Sequence, residues 1–379
     1  MRHILRCVVL LNLLFTAGGR SMIQANEPLL LVSSFAPGAQ GGIEAIHLNP
    51  ATGTLTSVHR TTGIENPFYL AVTPDRKFLY SIFAPTFGGT EPEQIAAFSL
   101  DAAAGTLMPL NRQTTRGTAS CFLEVDATGK SLLLANYSSG SVASYRILPD
   151  GTVSEPVTFI QHTGSSVDSS RQREPHAHCF VLSPDNRFAY AADLGLDQIV
   201  CYELNTETAV LQPAPQPFVR TVPGAGPRHL TFHPKGQFLY AINELKNSVS
   251  VFRFLPESGM LIERQTISTL PSDFSGTSYC ADVRISPDGR FLYGTNRGHD
   301  SIAVYQIAED GLLSVVEIVP SRGKGPQNLA ISSDGQWLLC ANMPGNNLAV
   351  FRINAADGRL TATGTPLEIV SPSCIRILN

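Results

Sequence analysis

Four ionisable side chains, His178, Arg228, Glu244 and Arg297, occupy two equivalent positions of a pattern that recurs along the 379-residue chain. A carboxylate beside an imidazole can move protons near neutral pH: Glu244 as general base, His178 as general acid or alternative base. Two guanidiniums beside them offer planar forks for a carboxylate, a phosphate or a developing oxyanion. Such a set suits a small anionic substrate. Three further residues are expected within its reach: His176, which shares a strand face with His178; His299, on the loop after Arg297; and Lys324, in GKGPQ ahead of a strand. Arg171 and Arg173 lie in a Ser-rich insert (161–174) that reads as a solvated loop or a lid. His229 and His233 flank the strand that begins at Arg228. Strict alternation turns His229 away from Arg228 and gives it a structural role.

The pattern that positions these residues is an internal repeat. It is plainest in LTFHPKGQFLYAINELKNSVSVFRF (230–254), VRISPDGRFLYGTNRGHDSIAVYQI (283–307) and LAISSDGQWLLCANMPGNNLAVFRI (329–353). Earlier copies span 70–84, 123–147 and 181–204. Each reads strand, tight turn, strand, Asn or Asp, loop, strand, turn, with β-branched and aromatic residues in the strands. The turns fall at Pro74, Ala127, Pro184, Pro234, Pro287 and Ser333, about fifty residues apart, which is the signature of a β-propeller. Residues 29–60 look like a copy without its first strand, and 371–379 like a first strand alone. Joined, they give a seventh blade. The expected fold is therefore all-β: one seven-bladed β-propeller over 26–379, its ring closed by pairing the N- and C-terminal strands, which removes the open edge.

The repeat also selects the four residues. The sixth position before each turn holds Phe68, Cys121, His178, Arg228, Ala281 and Gln327. The tenth after it holds Ala84, Tyr137, Leu194, Glu244, Arg297 and Met343. The two positions bracket a hairpin, so antiparallel pairing brings them to the same end of the ring beside its channel. Ionisable residues there are confined to three consecutive copies.

Composition narrows the partners. With 27 Lys+Arg against 31 Asp+Glu, a formal charge of −4 and no basic patch, the chain gains little from a phosphate backbone, so nucleic acid is not expected. Arg2, His3 and Arg6, the apolar run Cys7–Phe15 and small residues ending near Ala25 read as a secretory signal peptide over 1–25. No other run is long and apolar enough to span a bilayer. The protein is expected to be exported, periplasmic or secreted, if that leader operates, and cytoplasmic otherwise. Six of the seven cysteines lie beyond the leader, several inside strand-like runs, and read as buried thiols. Ring closure within one chain suits a monomer.

PGAGPRHLTFHPKGQFLYAINEL (223–245), QTISTLPSDFSG (265–276), SPDGRFLYGTNRGHDSIAVY (286–305) and REPHAHCFVLSPDNRFAY (173–190) resemble the seven-bladed propeller lactonase family, which includes bacterial 6-phosphogluconolactonases and fungal carboxymuconate cyclases. The resemblance covers the mature chain and is strongest over 173–350. It implies a lactone-opening enzyme acting on a small anionic lactone, 6-phosphogluconolactone first, with no cofactor. It implies His178, Arg228, Glu244 and Arg297 as site residues. The backbone amides of PGAG (223–226) are expected to add donors. A muconate-type cyclase and a non-catalytic exported binding module are the alternative functions. No GxSxG elbow or HExxH is present, His176 and His178 lack partners at metal-ligand spacing, and PGAGPRH lacks a full GxGxxG.

Overall fold

The computed structural model describes residues 27–378; the expected leader, 1–25, lies outside them. The described residues form seven four-stranded antiparallel sheets. Six blades are sequential: their innermost strands are Leu70–Val72, Ser120–Val125, Ala177–Leu182, Pro227–Phe232, Tyr279–Ile285 and Pro326–Ile331. The remaining blade is built from both ends of the chain. Pro372–Leu378 is its inner strand and pairs antiparallel with Leu29–Ser34, Leu31 opposite Arg376. The expected ring and its closure are thus present, and one 3-10 turn, Gly38–Gln40, is the helical content among the described residues.

Short polar side chains make the hairpins. In SPDGR the Ser286 hydroxyl donates to Asp288 Oδ1, which also accepts the Arg290 amide, while Gly289 takes the left-handed φ of +76°. Ser332 with Asp334 and Ser183 with Asp185 repeat the arrangement. At the other end of the hairpin, a buried asparagine closes the second strand. Asn243 Nδ2 donates to Ser248 Oγ, Asn296 Nδ2 to Ser301 Oγ, and Asn136 Nδ2 to Ser141 Oγ, each at 3.0 Å. These bonds fix the residue that follows, which is Glu244, Arg297 or Tyr137.

Neighbouring blades bury their faces against each other. Tyr240, Ile242, Val249 and Val251 of one blade pack on Cys280, Val283, Leu292 and Tyr305 of the next. A recurring buckle adds specificity: a hairpin glycine lies on an aromatic ring of the preceding blade and offers its carbonyl to a tyrosine hydroxyl. Tyr240 donates to Gly311 O at 2.9 Å, and Tyr190 to Gly259 O at 2.7 Å. Across the closing junction Trp337 lies under Gly53 and donates from Nε1 to Pro50 O. The six described cysteines are buried and unpaired, as the sequence indicated.

Glycine is required at these buckles. A Cβ on Gly311 would stand 2.5 Å from the Phe238 ring, at a φ of +82°. Gly364 has a φ of +60° with nothing within 4 Å. Gly311→Ala is expected to cost about 2–4 kcal/mol from overpacking and strain together. Gly364→Ala should cost about 1 kcal/mol from strain alone. Urea midpoints of the two variants check the difference.

Candidate active site

The sites expected from the repeat are aimed by a fault in the inner strands. Pro227 opposes Asn243 and His229 opposes Ile242, so Arg228 is an extra residue in a β-bulge. His178, Cys121 and Gln327 sit in the same register break of their own blades. A bulge re-aims a side chain. Here it turns these residues to the upper mouth of the channel, where Glu244 and Arg297 arrive from the second strands. Together with Phe68, Phe87, Tyr137, Arg171 and Met343 they line a cavity of about 230 Å³.

Glu244 is the centre of its charge pattern. Its Oε2 accepts Arg228 Nε at 3.0 Å and Arg297 Nη2 at 2.7 Å. Its Oε1 accepts Arg171 Nη2 at 2.7 Å, and the same nitrogen donates to Tyr137 OH at 3.1 Å. Glu244 is 5% exposed and Arg228 1%. Burial alone would push the carboxyl up, but Arg297, Arg228 and Arg171 outweigh it and hold it at about 2. Arg228 Nη1 is anchored on the Ala281 carbonyl, and Arg297 Nη2 on Cys280 O. Three guanidiniums thus face one carboxylate, an excess of positive charge that favours an anion.

His178 lines the same cavity as a neutral imidazole. Burial, then Arg228 and His229 nearby, lower its pKa well below the usual 6.5. Its Nδ1 lies 3.6 Å from Cys121 Sγ; among the described residues Nε2 has no hydrogen-bond partner. Burial pushes the Cys121 thiol far up, so it stays protonated.

Arg171 comes from the insert, which is strapped down. Gln172, fully buried, donates to Leu194 O and Asp197 Oδ1, and Ser166 Oγ donates to Asp197 Oδ2. Asp197 also accepts the amides of Gly224 and Gly226 at 2.6 and 2.8 Å. Of the PGAG amides expected to meet substrate, those of Gly224 and Gly226 are therefore spent on Asp197, which also holds the loop that carries Arg171, and that of Ala225 donates to Val222 O.

Other expectations change. His176, His299 and Lys324 are absent from the residues lining the cavity. His176 stacks on Tyr137 with ring centroids 4.5 Å apart and bonds its carbonyl. His299 Nδ1 is 2.7 Å from Ser301 Oγ, and Lys324 is exposed. His229 does face the hub, because the bulge shifts the alternation after Arg228. Its Nδ1 pairs with Asp282 Oδ1 at 2.7 Å, and burial, with Arg228 beside it, lowers its pKa to about 4. Arg171 was the residue hardest to place from sequence, since an insert has no register. Tyr137, Cys121 and Gln327 stood at the right positions but carry no formal charge.

A closed ring whose hub gathers three guanidiniums, one carboxylate and a neutral imidazole in one pocket is a framework on which an enzyme can be built. Comparison narrows this. The family model "Lactonase, 7-bladed beta-propeller" matches residues 29–377, and the chain belongs to that family. It is 33% identical over 350 residues to the 6-phosphogluconolactonase of Bacillus subtilis (strain 168), covering 92% of this chain and 97% of the relative. It is 32% identical to the 6-phosphogluconolactonase of Formosa agariphila, covering 92% and 99%. The solved structure of the periplasmic gluconolactonase of Pseudomonas aeruginosa superposes with a TM-score of 0.87 at 31% identity, covering 93% and 99%. Among the described residues no helix is long and apolar enough to cross a membrane.

Glu244→Gln removes the counter-charge of three arginines and should cost about 3–5 kcal/mol at pH 7. The native carboxyl lies at about 2, below its ordinary 4.5. Its contribution is therefore complete above pH 4.5 and lost as pH falls toward 2. Denaturant midpoints of wild type and variant should converge over that window.

Proposed function

We propose that the protein hydrolyses a sugar-acid lactone bearing an anionic group, and that 6-phosphogluconolactone fits its charge best. The observation that carries this reading is the cavity where three guanidiniums outnumber one carboxylate beside a neutral histidine. The names of the relatives support the reaction class.

In this reading His178 is the general base. With its Nδ1–H directed at Cys121 Sγ, the Nε2 lone pair takes a proton from water as the water oxygen bonds to the lactone carbonyl carbon. The carbonyl electron pair moves onto oxygen, next to the Arg297 and Arg228 guanidiniums. Collapse breaks the bond to the ring oxygen, and His178 returns the proton to it as a hydroxyl. Glu244 is too acidic to be the base and serves to hold the three arginines. Arg171 is the least buried of the three and takes the substrate phosphate. We place its site of action in the periplasm or outside the cell, a reading supported by the basic and apolar leader and by the periplasmic relative.

The test follows ring opening of 6-phosphogluconolactone and gluconolactone at pH 7, corrected for spontaneous hydrolysis. His178→Ala should lower kcat by about 10²–10⁴-fold with KM little changed. Arg171→Ala should raise KM for the phosphorylated lactone about tenfold and spare kcat. Wild-type turnover of neither lactone above background would end the proposal.

The neutral imidazole also sets the pH profile. Because His178 titrates below 6.5, kcat/KM should stay level from pH 8 down to 6.5 and fall only at lower pH. An acid limb centred at pH 7 or above would remove His178 as the base.

A further inference from the structure

The hub has a second cavity at its other end. It encloses about 610 Å³, within the range of ligand pockets, and shares no lining residue with the upper one. A layer of side chains separates them: Tyr69 packs on Phe122 at 4.4 Å, and His229 meets Phe122 edge-on at 5.4 Å and pairs with Asp282. Below that layer four charged side chains line the walls: Glu124, Arg284 and Arg376 near the axis, and Arg76, which is exposed at a hairpin turn.

Two of these charges, Arg376 and Glu124, have no ion-pair partner among the described residues. Among the described residues Arg376 makes one hydrogen bond, Nη1 to Ile375 O at 3.4 Å, and no carboxylate comes within ion-pair distance of it. Its guanidinium lies 4.7 Å above the Tyr69 ring. Glu124 lines the same cavity with no hydrogen bond or ion pair among the described residues. Arg284 is partly used: Nε donates to Leu329 O at 3.0 Å and Nη2 lies 3.3 Å from Asp282. The Arg376 and Glu124 side chains are both half-buried in a cavity open at its mouth, so either water or an occupant satisfies them. Here a cation and a carboxyl face one space without meeting, so a single occupant can serve both. It must present an anion to Arg376 and Arg284 and donors to Glu124. Burial pushes the Glu124 carboxyl up, which suits hydroxyl donors better than an ammonium group.

We propose that the lower cavity is a second binding site for a small hydroxy acid, its carboxylate on Arg376 and Arg284 and its hydroxyls at Glu124. The argument stands on these residues alone, although a hydroxy acid is also the product class of the lactonase reading. Bound there, it would lie on the far side of the ring from the reacting site.

Calorimetric titration with sodium gluconate tests it, using wild type, Arg376→Gln, Glu124→Gln and Arg171→Ala. Arg376→Gln and Glu124→Gln should each weaken a gluconate isotherm about tenfold or more and leave lactone turnover unchanged. Arg171→Ala should leave that isotherm intact. If Arg376→Gln does not fold, Glu124→Gln and the position of gluconate in a soaked crystal decide. No isotherm in wild type, an isotherm indifferent to Glu124→Gln, or glycine binding as well as gluconate overturns the proposal. None of these outcomes bears on whether wild type opens lactones.

Discussion

Each blade of this ring is stable only against its neighbours. A four-stranded sheet leaves two apolar faces, and the buckles of glycine on aromatic ring fix how those faces meet. The constraint is circular: six sequential blades would leave two faces and an edge open. Pairing Leu29–Ser34 with Pro372–Leu378 supplies the seventh and makes the ends of the chain interdependent. Trp337 under Gly53 carries the buckle across the junction. The geometry of the hub, and so of everything placed there, follows from that closure.

At the hub, seven inner strands converge without filling the axis. Side chains aimed there are partly enclosed and must satisfy one another. Glu244 makes this possible in the upper pocket. Without it, Arg228 would be a buried cation next to Arg297. With it, three arginines from two blades and an insert are held close enough to act on one substrate. The same pairing takes Glu244 out of proton transfer, because a carboxyl at about 2 gains little from accepting a proton at pH 7. In the proposed mechanism that role falls to His178, which burial keeps neutral.

The ring and four pocket residues were legible because a repeat converts sequence position into place. Two positions of the frame sufficed to bring His178, Arg228, Glu244 and Arg297 together. What was not legible has a physical reason in each case. The bulge at Arg228 breaks alternation, so His229 faces the hub instead of away from it. Arg171 arrives on an insert whose path depends on Asp197, a residue with no distinguishing motif. The Gly224 and Gly226 amides looked free because their acceptor, Asp197, is remote in sequence. His176, His299 and Lys324 lie near the mouth in sequence order, but local bonds to Tyr137 and Ser301 hold the two histidines elsewhere. The acidity of Glu244 depends on three partners and could not be read from its neighbours in the chain.

The layer of Tyr69, Phe122, His229 and Asp282 gives the hub two ends with different electrostatics. Asp282 accepts from His229, Asn328 and the Leu329 amide and sits beside Arg284, so its charge is spent inside the layer. Above it, one carboxylate gathers the cations into a set. Below it, Arg376 and Glu124 remain apart, and His229 Nε2 is buried without a partner. A packed aromatic layer of this kind keeps the upper pocket from draining into the lower cavity. In the proposed mechanism the water for hydrolysis then enters from the mouth, on the side of Arg171.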